Sequence, residues 1–362
     1  VIPEYGVRSL ADAFTLLEPA RATALLLVDG LGSELLRAHA EDAPFLASMA
    51  DAGPLTVGFP SSTAISLASL GTGLPPGGHG VLGTSLRLTD EIVMDTLRWT
   101  EHGSHGKVDL REPFPPETVQ PADTVFQRAE AAGVAVTVVS QAKFAGSGLT
   151  RAVLRGGAFT GSFAFGDLAA GIVTALSGPG RRLVYGYHAD LDAMGHVYGP
   201  GSLAWRVQLR QVDRLVETIV SLLPPDALLA VTGDHGMVAM DRTFDADTDP
   251  VLQAGVAAFS GEPRARHVHT EPGAAADVLA TWQGVLGDAA WTVSREQAVD
   301  EGWFGPLSPH FADRIGDVVA AAQGTAGVIR SKAESFLSGL IGQHGSLTAA
   351  EQLVPLLVAR RD

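Results

Sequence analysis

FPSSTAISLASLGTGLPPGGHGVLG, residues 59–83, carries three local signals in succession. The Phe59-Pro60 pair holds the chain extended, because a residue before proline avoids helical backbone angles. Hydroxyls follow at Ser61, Ser62 and Thr63, and Ile65, Leu67, Ala68 and Leu70 then space out a short apolar helix. Gly71-Thr72-Gly73 stops it, and a Pro-Pro-Gly-Gly turn brings in His79, for which a structural role is expected. A hydroxyl where extended chain becomes helix is an ordinary N-cap. It also faces free N–H groups and the positive end of the helix dipole, a place that favours phosphate. The stretch by itself leaves both readings open; the Asp and His residues elsewhere in the chain bear on the choice.

Outward from this stretch, apolar strand runs alternate with helix patterns. Ala24–Val28 (ALLLV) ends at Asp29-Gly30, and Val134–Ser140 is a second strand run. Leu183–Tyr187 leads into His188-Ala189-Asp190-Leu191-Asp192, and Ala227–Thr232 (ALLAVT) runs into Gly233-Asp234-His235-Gly236. Helical spacing covers Thr124–Ala132, Leu168–Leu176 and the amphipathic Leu203–Leu223. This alternation implies an α/β fold with a mostly parallel central sheet and helices on both faces. Residues 84–121 read as short strands and loops near a site entrance. Between 244 and 330 the pattern changes to the strand-like AAFSGEPRARHVHT, a helix over Ala274–Leu286, the strand-like WTVS and a βα-like piece around Ile315–Ala322. That segment is expected to be an inserted α+β subdomain. Residues 1–243 and 331–362 then form the core, which resumes at Phe336 and closes on LVPLLV at 353–358.

The bulk numbers narrow the function. A chain of 362 residues can bury a large core, and 46% hydrophobic against 18% charged residues suits a globular protein. A net charge of −15 argues against tracking nucleic-acid polymers or anionic membranes, which require basic patches. A small phosphorylated substrate fits only where local cations overcome that field. With no cysteine, disulfides and thiolate ligands are excluded, so a zinc site must use His and carboxylate. No apolar run reaches membrane-spanning length. VIPEYGVRSL shows no signal peptide, and the cytoplasm is the expected compartment. The sequence carries no signature of oligomeric state.

Asp29, Asp192 and Asp234 each lie just after an apolar strand run, at the edge where parallel α/β sheets build their sites. Asp192 and His196 form a D-x-x-x-H unit, and Asp234 is followed directly by His235. Carboxylate oxygen and imidazole nitrogen are ligands that divalent ions such as zinc prefer. Any one of these units is weak evidence; their order, with a hydroxyl stretch between the first Asp and the rest, is specific.

At these residues the chain resembles the alkaline phosphatase superfamily, and within it the type I phosphodiesterase/nucleotide pyrophosphatase group. The resembling segments are VDGLG at 28–32, FPSST at 59–63 with GTGLPPGGHG at 71–80, DAMGHVYGP at 192–200, TGDHGM at 232–237 and HGSLTAAEQLVPLLV at 344–358. The resemblance implies an alkaline-phosphatase-like fold and two Zn²⁺ ions, other divalent ions being possible. One ion would be held by Asp29, Thr63, Asp234 and His235, the other by Asp192, His196 and a late histidine. The four-residue spacing to His196 selects Asp192 over Asp190. For the late histidine, His344 is favoured over His267 and His269 by its Gly-flanked loop and downstream proline. Thr63 would be the nucleophile, forming a phospho-threonine that is then hydrolysed. The resemblance is also read as implying a phosphate-oxygen donor three residues after Thr63, where this chain has Ser66 in place of an amide. Lys143, just past a strand end, is a weaker candidate for substrate contact, and His102, His105 and His188 are expected at the surface. A sulfatase is excluded because FPSSTAIS lacks the Pro and Arg of that nucleophile pattern. A cofactor-independent phosphoglycerate mutase is disfavoured because the insertion follows Asp234 and not the nucleophile. A phosphonate hydrolase, a phosphomonoesterase and a non-catalytic binding module are the alternatives.

Overall fold

The structure, a computed structural model, describes residues 1–103 and 108–361. Its centre is a seven-stranded sheet. In spatial order the strands are Ala50–Asp51, Leu356–Arg361, Ala227–Thr232, Ala22–Val28, Arg182–His188, Ala135–Gln141 and Ala158–Ser162. The five from Ala227–Thr232 to Ala158–Ser162 are mutually parallel. Leu356–Arg361 pairs antiparallel with Ala227–Thr232. Successive side chains of a strand point to opposite faces, and here both faces are covered. Leu25, Leu27, Val136, Val138, Tyr185 and Leu228 join the core cluster under helix Thr63–Thr72. Ala24, Leu26, Val28, Val139, Val184 and Leu229 join the cluster under helices Phe165–Ser177 and Leu203–Ser221. The second of those helices buries Trp205, Leu209, Val212, Val216 and Ile219, a spacing of four and three that makes one apolar face. Its buried Asp213 accepts from the N–H of Leu46 at 2.8 Å and so caps the neighbouring helix Pro44–Ser48.

Two features differ from the sequence reading. Ala158–Ser162 is an unexpected strand; it lies at the sheet edge, mostly exposed, and lacks an apolar run to announce it. Phe336, the apolar residue at which the core was expected to resume, is 70% exposed.

Within 244–330 the chain forms a four-stranded antiparallel sheet. Its order is Val256–Glu262, Ala265–Thr270, Val318–Ala322, Ala290–Ser294. Helix Ala275–Leu286 covers one face with Val278, Trp282 and Leu286. The other face joins the main core, where Trp303 and Phe304 pack on Phe59 at 5.2 and 5.4 Å between ring centroids. Residues 242–245 and 326–329, at the two ends of this segment, pair as parallel strands. Fully buried Arg264, in the first hairpin turn, forms a two-pronged ion pair with buried Glu351 at 3.0 and 2.6 Å. Glu351 also accepts from the N–H of Ser346 at 3.0 Å. The pair therefore ties the four-stranded sheet to the chain that returns to the core.

Removing one partner of a buried ion pair leaves an uncompensated charge. Glu351→Ala should lower the unfolding free energy in denaturant melts by roughly 3–5 kcal/mol. The double variant Arg264→Met/Glu351→Leu should recover most of that loss.

Candidate active site

The three strand-end carboxylates meet because their strands are neighbours: Ala227–Thr232, Ala22–Val28 and Arg182–His188 lie side by side. The loops beyond them touch at backbone level, which explains their glycines. Gly30 has φ of +76°, and a Cβ there would lie 3.0 Å from Asp192 Cα. A Cβ on Gly236 would lie 1.9 Å from the carbonyl oxygen of Ala350.

Asp29, Asp234 and His235 form one cluster, and Asp192, His196 and His344 another; within each, one ligand atom per residue lies within 4.8 Å of the others. The His235 and His344 rings stack at 3.5 Å and join the clusters. All three histidines are oriented alike. Nδ1–H donates to a backbone carbonyl: Gly342 from His196 at 2.7 Å, Gly236 from His235 at 3.0 Å, Ser61 from His344 at 2.9 Å. Nε2 is left facing the site, the arrangement seen in metal-ligating histidines. Each carboxylate likewise keeps one buried oxygen without a partner: Asp29 Oδ1, Asp192 Oδ1 and Asp234 Oδ2. Their other oxygens are engaged by Tyr187 Oη–H, by His196 Nε2 at 3.3 Å and by the N–H of Gly30 at 2.9 Å, respectively. Buried orphan oxygens beside aligned imidazoles fit divalent cations as ligand sets.

Charge crowding shows in the titration of these groups. Burial, then the nearby Asp192, pushes Asp29 well above the usual carboxylate range. Burial and the Asp29 charge do the same to Asp234. Burial would also raise Asp192, but the charge and hydrogen bond of His196, together with His235 and His344, outweigh it and hold Asp192 below its ordinary value. Burial opposes protonation of His196 too, and Asp192 overcomes it, raising His196 to about 9. His344 is lowered by burial and by the two neighbouring histidines.

Thr63 is the first residue of its helix, after an extended Ser62. Its Oγ lies 3.3 Å from His235 Nε2. The preceding residue pair is pinned to the returning chain. Ser61 N–H donates to Gly345 O at 2.9 Å and Ser61 Oγ–H to Ser346 O at 2.8 Å. These bonds, with that from His344, hold the late histidine against the Thr63 turn. His267 and His269 are elsewhere: His267 Nδ1 accepts from Gly316 N–H at 3.1 Å, and His269 Nε2 meets Ser260 Oγ at 2.9 Å.

Ser66 lies beneath the Asp234 loop. It is buried, and its hydroxyl donates to the carbonyl oxygen of Asp234 at 2.5 Å, bracing that loop. Lys143 is exposed, its ammonium 4.9 Å over the Phe144 ring. His188 is buried beside Phe165, not at the surface, and His102 is paired with buried Glu334 at 3.0 Å. His79 is buried, with Nε2 3.0 Å from Ser69 Oγ, consistent with a structural role. His105 lies outside the described residues.

Two residues at the site were missed. Tyr187 holds Asp29; two tyrosines at alternate positions in a strand that leads to Asp192 were an available signal. Thr84 lines the wide cleft beside Asp192 and His196. Its N–H donates to buried Glu262 at 2.8 Å, and its hydroxyl reaches Ser62 Oγ at 3.3 Å. Nothing in the local sequence marks it.

A family model described as type I phosphodiesterase/nucleotide pyrophosphatase matches residues 23–347. A search of curated proteins finds no match. Among solved structures, human ectonucleotide pyrophosphatase/phosphodiesterase 5 is similar at TM-score 0.70 and 18% identity, covering 94% of this chain and 88% of that one. The murine protein, in an inactive threonine-to-alanine form in complex with AMP, is similar at TM-score 0.68 and 17% identity, covering 92% and 87%. Phosphonoacetate hydrolase from Sinorhizobium meliloti 1021, in complex with phosphonoformate, is similar at TM-score 0.67 and 20% identity, covering 95% and 91%. These likenesses establish the shared fold. Among the described residues no helix is long and apolar enough to cross a membrane.

A raised carboxyl pKa means that the folded state holds its proton to higher pH than the unfolded state does. Metal-free protein therefore loses stability from Asp234 as pH rises out of the ordinary carboxylate range. Asp234→Asn keeps an acceptor for Gly30 N–H and removes the charge. In chelator, this variant should melt above the parent at pH 8, and the difference should shrink at pH 5. Equal melting temperatures at both pH values would contradict the charge-crowding account.

Proposed function

The chain belongs to the type I phosphodiesterase/nucleotide pyrophosphatase family, and on that premise we propose that it hydrolyses phosphodiester or pyrophosphate bonds through Thr63. Membership makes it a hydrolase of phosphate ester or anhydride bonds. The observation that carries the finer reading is Thr63 Oγ, at a helix start, 3.3 Å from His235 in one candidate ligand cluster.

Asp29, Thr63, Asp234 and His235 would hold one zinc ion, and Asp192, His196 and His344 the other. Bound cations lower the pKa of a coordinated hydroxyl and neutralise charge on a phosphoryl group in transfer. The protein's own part is positional. Thr63 Oγ attacks phosphorus, the P–O bond to the leaving group breaks, and a Thr63 phosphoester remains. Water then attacks that ester and restores the hydroxyl. The N–H groups of Ala64 and Ile65, in the first turn, have no partner within the helix and would be free to donate to phosphate oxygens bound at Thr63. Tyr187 and the N–H of Gly30 each occupy one carboxylate oxygen and so fix which oxygen faces the centre. The inactive murine threonine variant is consistent with such a nucleophile in that protein.

On a chromogenic diester with zinc, Thr63→Ala should cost on the order of 10³-fold or more in kcat. Thr63→Ser should retain measurable turnover. Near-normal turnover in Thr63→Ala would reject the covalent route.

His344→Ala should bind about one zinc ion fewer by metal analysis, whereas His267→Ala and His269→Ala should keep the full complement. A full pair in His344→Ala, with a loss in His267→Ala, would move the second site to the four-stranded sheet.

A further inference from the structure

Beside Thr63 a cavity of about 260 Å³ opens between helix Thr63–Thr72, the sheet and helix Gly148–Val153. Asp29, Thr63 and Asp192 form its end at the site. Leu67, Leu97, Phe144, Leu149 and Leu154 form much of its wall. We propose that this cavity holds an alkyl or aryl substituent that stays on phosphorus, so that the substrate is a phosphodiester of an apolar alcohol and not a nucleotide ester. This deepens the phosphoryl-transfer reading above and rests on it.

The lining argues against a nucleoside. Among the described residues no Lys or Arg lines the cavity, and the charged groups in its lining are the carboxylates of Asp29 and Asp192. Several of its polar groups are engaged already, the lining hydroxyl of Ser140 being an exception. Ser147 Oγ accepts from the N–H of Thr150 at 3.2 Å and donates to Thr150 Oγ at 3.0 Å. Tyr187 Oη–H donates to Asp29. Tyr185 Oη, buried, has no partner and offers a single polar contact. A sugar and base carry many more donors and acceptors, and each left unpaired on burial costs affinity. Of the three aromatic residues in this lining, Phe144 and Tyr187 meet edge to face at 73° and 6.0 Å, which leaves no parallel slot for a base between those two. At ~30 Å³ per water the volume equals roughly nine waters, enough for a phenyl ring or a medium alkyl chain.

Position assigns this group to the retained side. On the other side of Asp192 lies a wide cleft of about 810 Å³, bordered by Arg98, His196, Arg330 and Lys332. Cavity and cleft share Asp192 and Leu97 as lining residues. In-line displacement places the leaving oxygen opposite the nucleophile. Thr63 lines the cavity and is absent from the cleft lining, so the leaving group departs toward the polar cleft. The apolar substituent then stays on the Thr63 phosphoester until water releases it as a monoester.

The test keeps the leaving group constant. Zinc-loaded protein is assayed on p-nitrophenyl esters of methyl, butyl and hexyl phosphate and of thymidine 5′-phosphate. The kcat/KM should rise about threefold per added CH₂ until the cavity is full, and the hexyl ester should exceed the thymidine ester at least about tenfold. Thr150→Phe, which fills the cavity, should flatten the series. Binding is read separately by calorimetry, with methyl- to hexylphosphonate titrated into zinc-loaded Thr63→Ala; the dissociation constant should fall by a similar factor per CH₂. Turnover with a flat series, or a preference for thymidine, overturns the cavity assignment and leaves the phosphoryl-transfer reading standing. If no ester turns over, that earlier reading fails, and the phosphonate titration still decides the cavity: a slope supports it and a flat line overturns it.

Discussion

Three carboxylates are brought together beyond three adjacent strands: Asp29 and Asp234, buried at strand ends, and Asp192, half-buried on the helix Asp190–Tyr198 that follows the third. Like charges in a desolvated space repel strongly, and the chain's net charge of −15 gives no relief from a distance. The surroundings answer this locally. Tyr187, the N–H of Gly30 and His196 each satisfy one oxygen of one carboxylate. The second oxygen of each is buried without a hydrogen-bond partner, 3.4, 3.5 and 3.9 Å from a histidine Nε2 for Asp29, Asp234 and Asp192. Such groups are costly in a folded protein unless something positive completes them. The sheet supplies the rigidity that keeps them in place, because the residues just before them are fully buried on both faces.

The second constraint is closure. His235 follows its strand within three residues and His196 sits on the helix Asp190–Tyr198 after its strand, but His344 arrives from the far end of the chain. It is held by short-range bonds between residues 343–346 and Ser61, and Ser61 precedes Thr63 by only two residues. The four-stranded sheet braces that return from behind. Arg264 grips Glu351, while Arg266 grips Glu334 beside the cleft at 2.8 Å. Both arginines sit in one hairpin, so the inserted segment contributes to the site by holding others' chain in position.

Much of this was legible in the sequence because the signals were of two robust kinds. Apolar runs of strand length gave the parallel sheet, and polar residues just beyond them gave Asp29, Asp192 and Asp234. What was not legible had physical reasons. Ala158–Ser162 is an edge strand with polar and small residues, so hydrophobicity could not announce it. Counting three residues on from Thr63 placed Ser66 on the same helix face, but its hydroxyl bond to the Asp234 carbonyl is a long-range contact with no local pattern, and Leu67, one residue further, lines the cavity. Thr84 reaches the cleft through a loop and owes its place to Glu262 in the insertion, a long-range contact with no local pattern. His188 has the composition of a surface residue, yet its place at a strand end under Phe165 buries it.

The position of Thr63 also limits what kind of chemistry the fold can support. At the first helical residue its backbone is set by the helix on one side and by the pinned Ser61 on the other. Its hydroxyl therefore has few places to go, and the entropy of bringing it to an acceptor is met during folding and not during reaction. That fixed direction matters more for phosphorus than for most centres, because displacement demands a line through nucleophile, phosphorus and leaving oxygen. If Thr63 is the nucleophile proposed above, its substrate would have to be turned to meet it. The asymmetric surroundings, apolar on the Thr63 side and charged across Asp192, would enforce such turning.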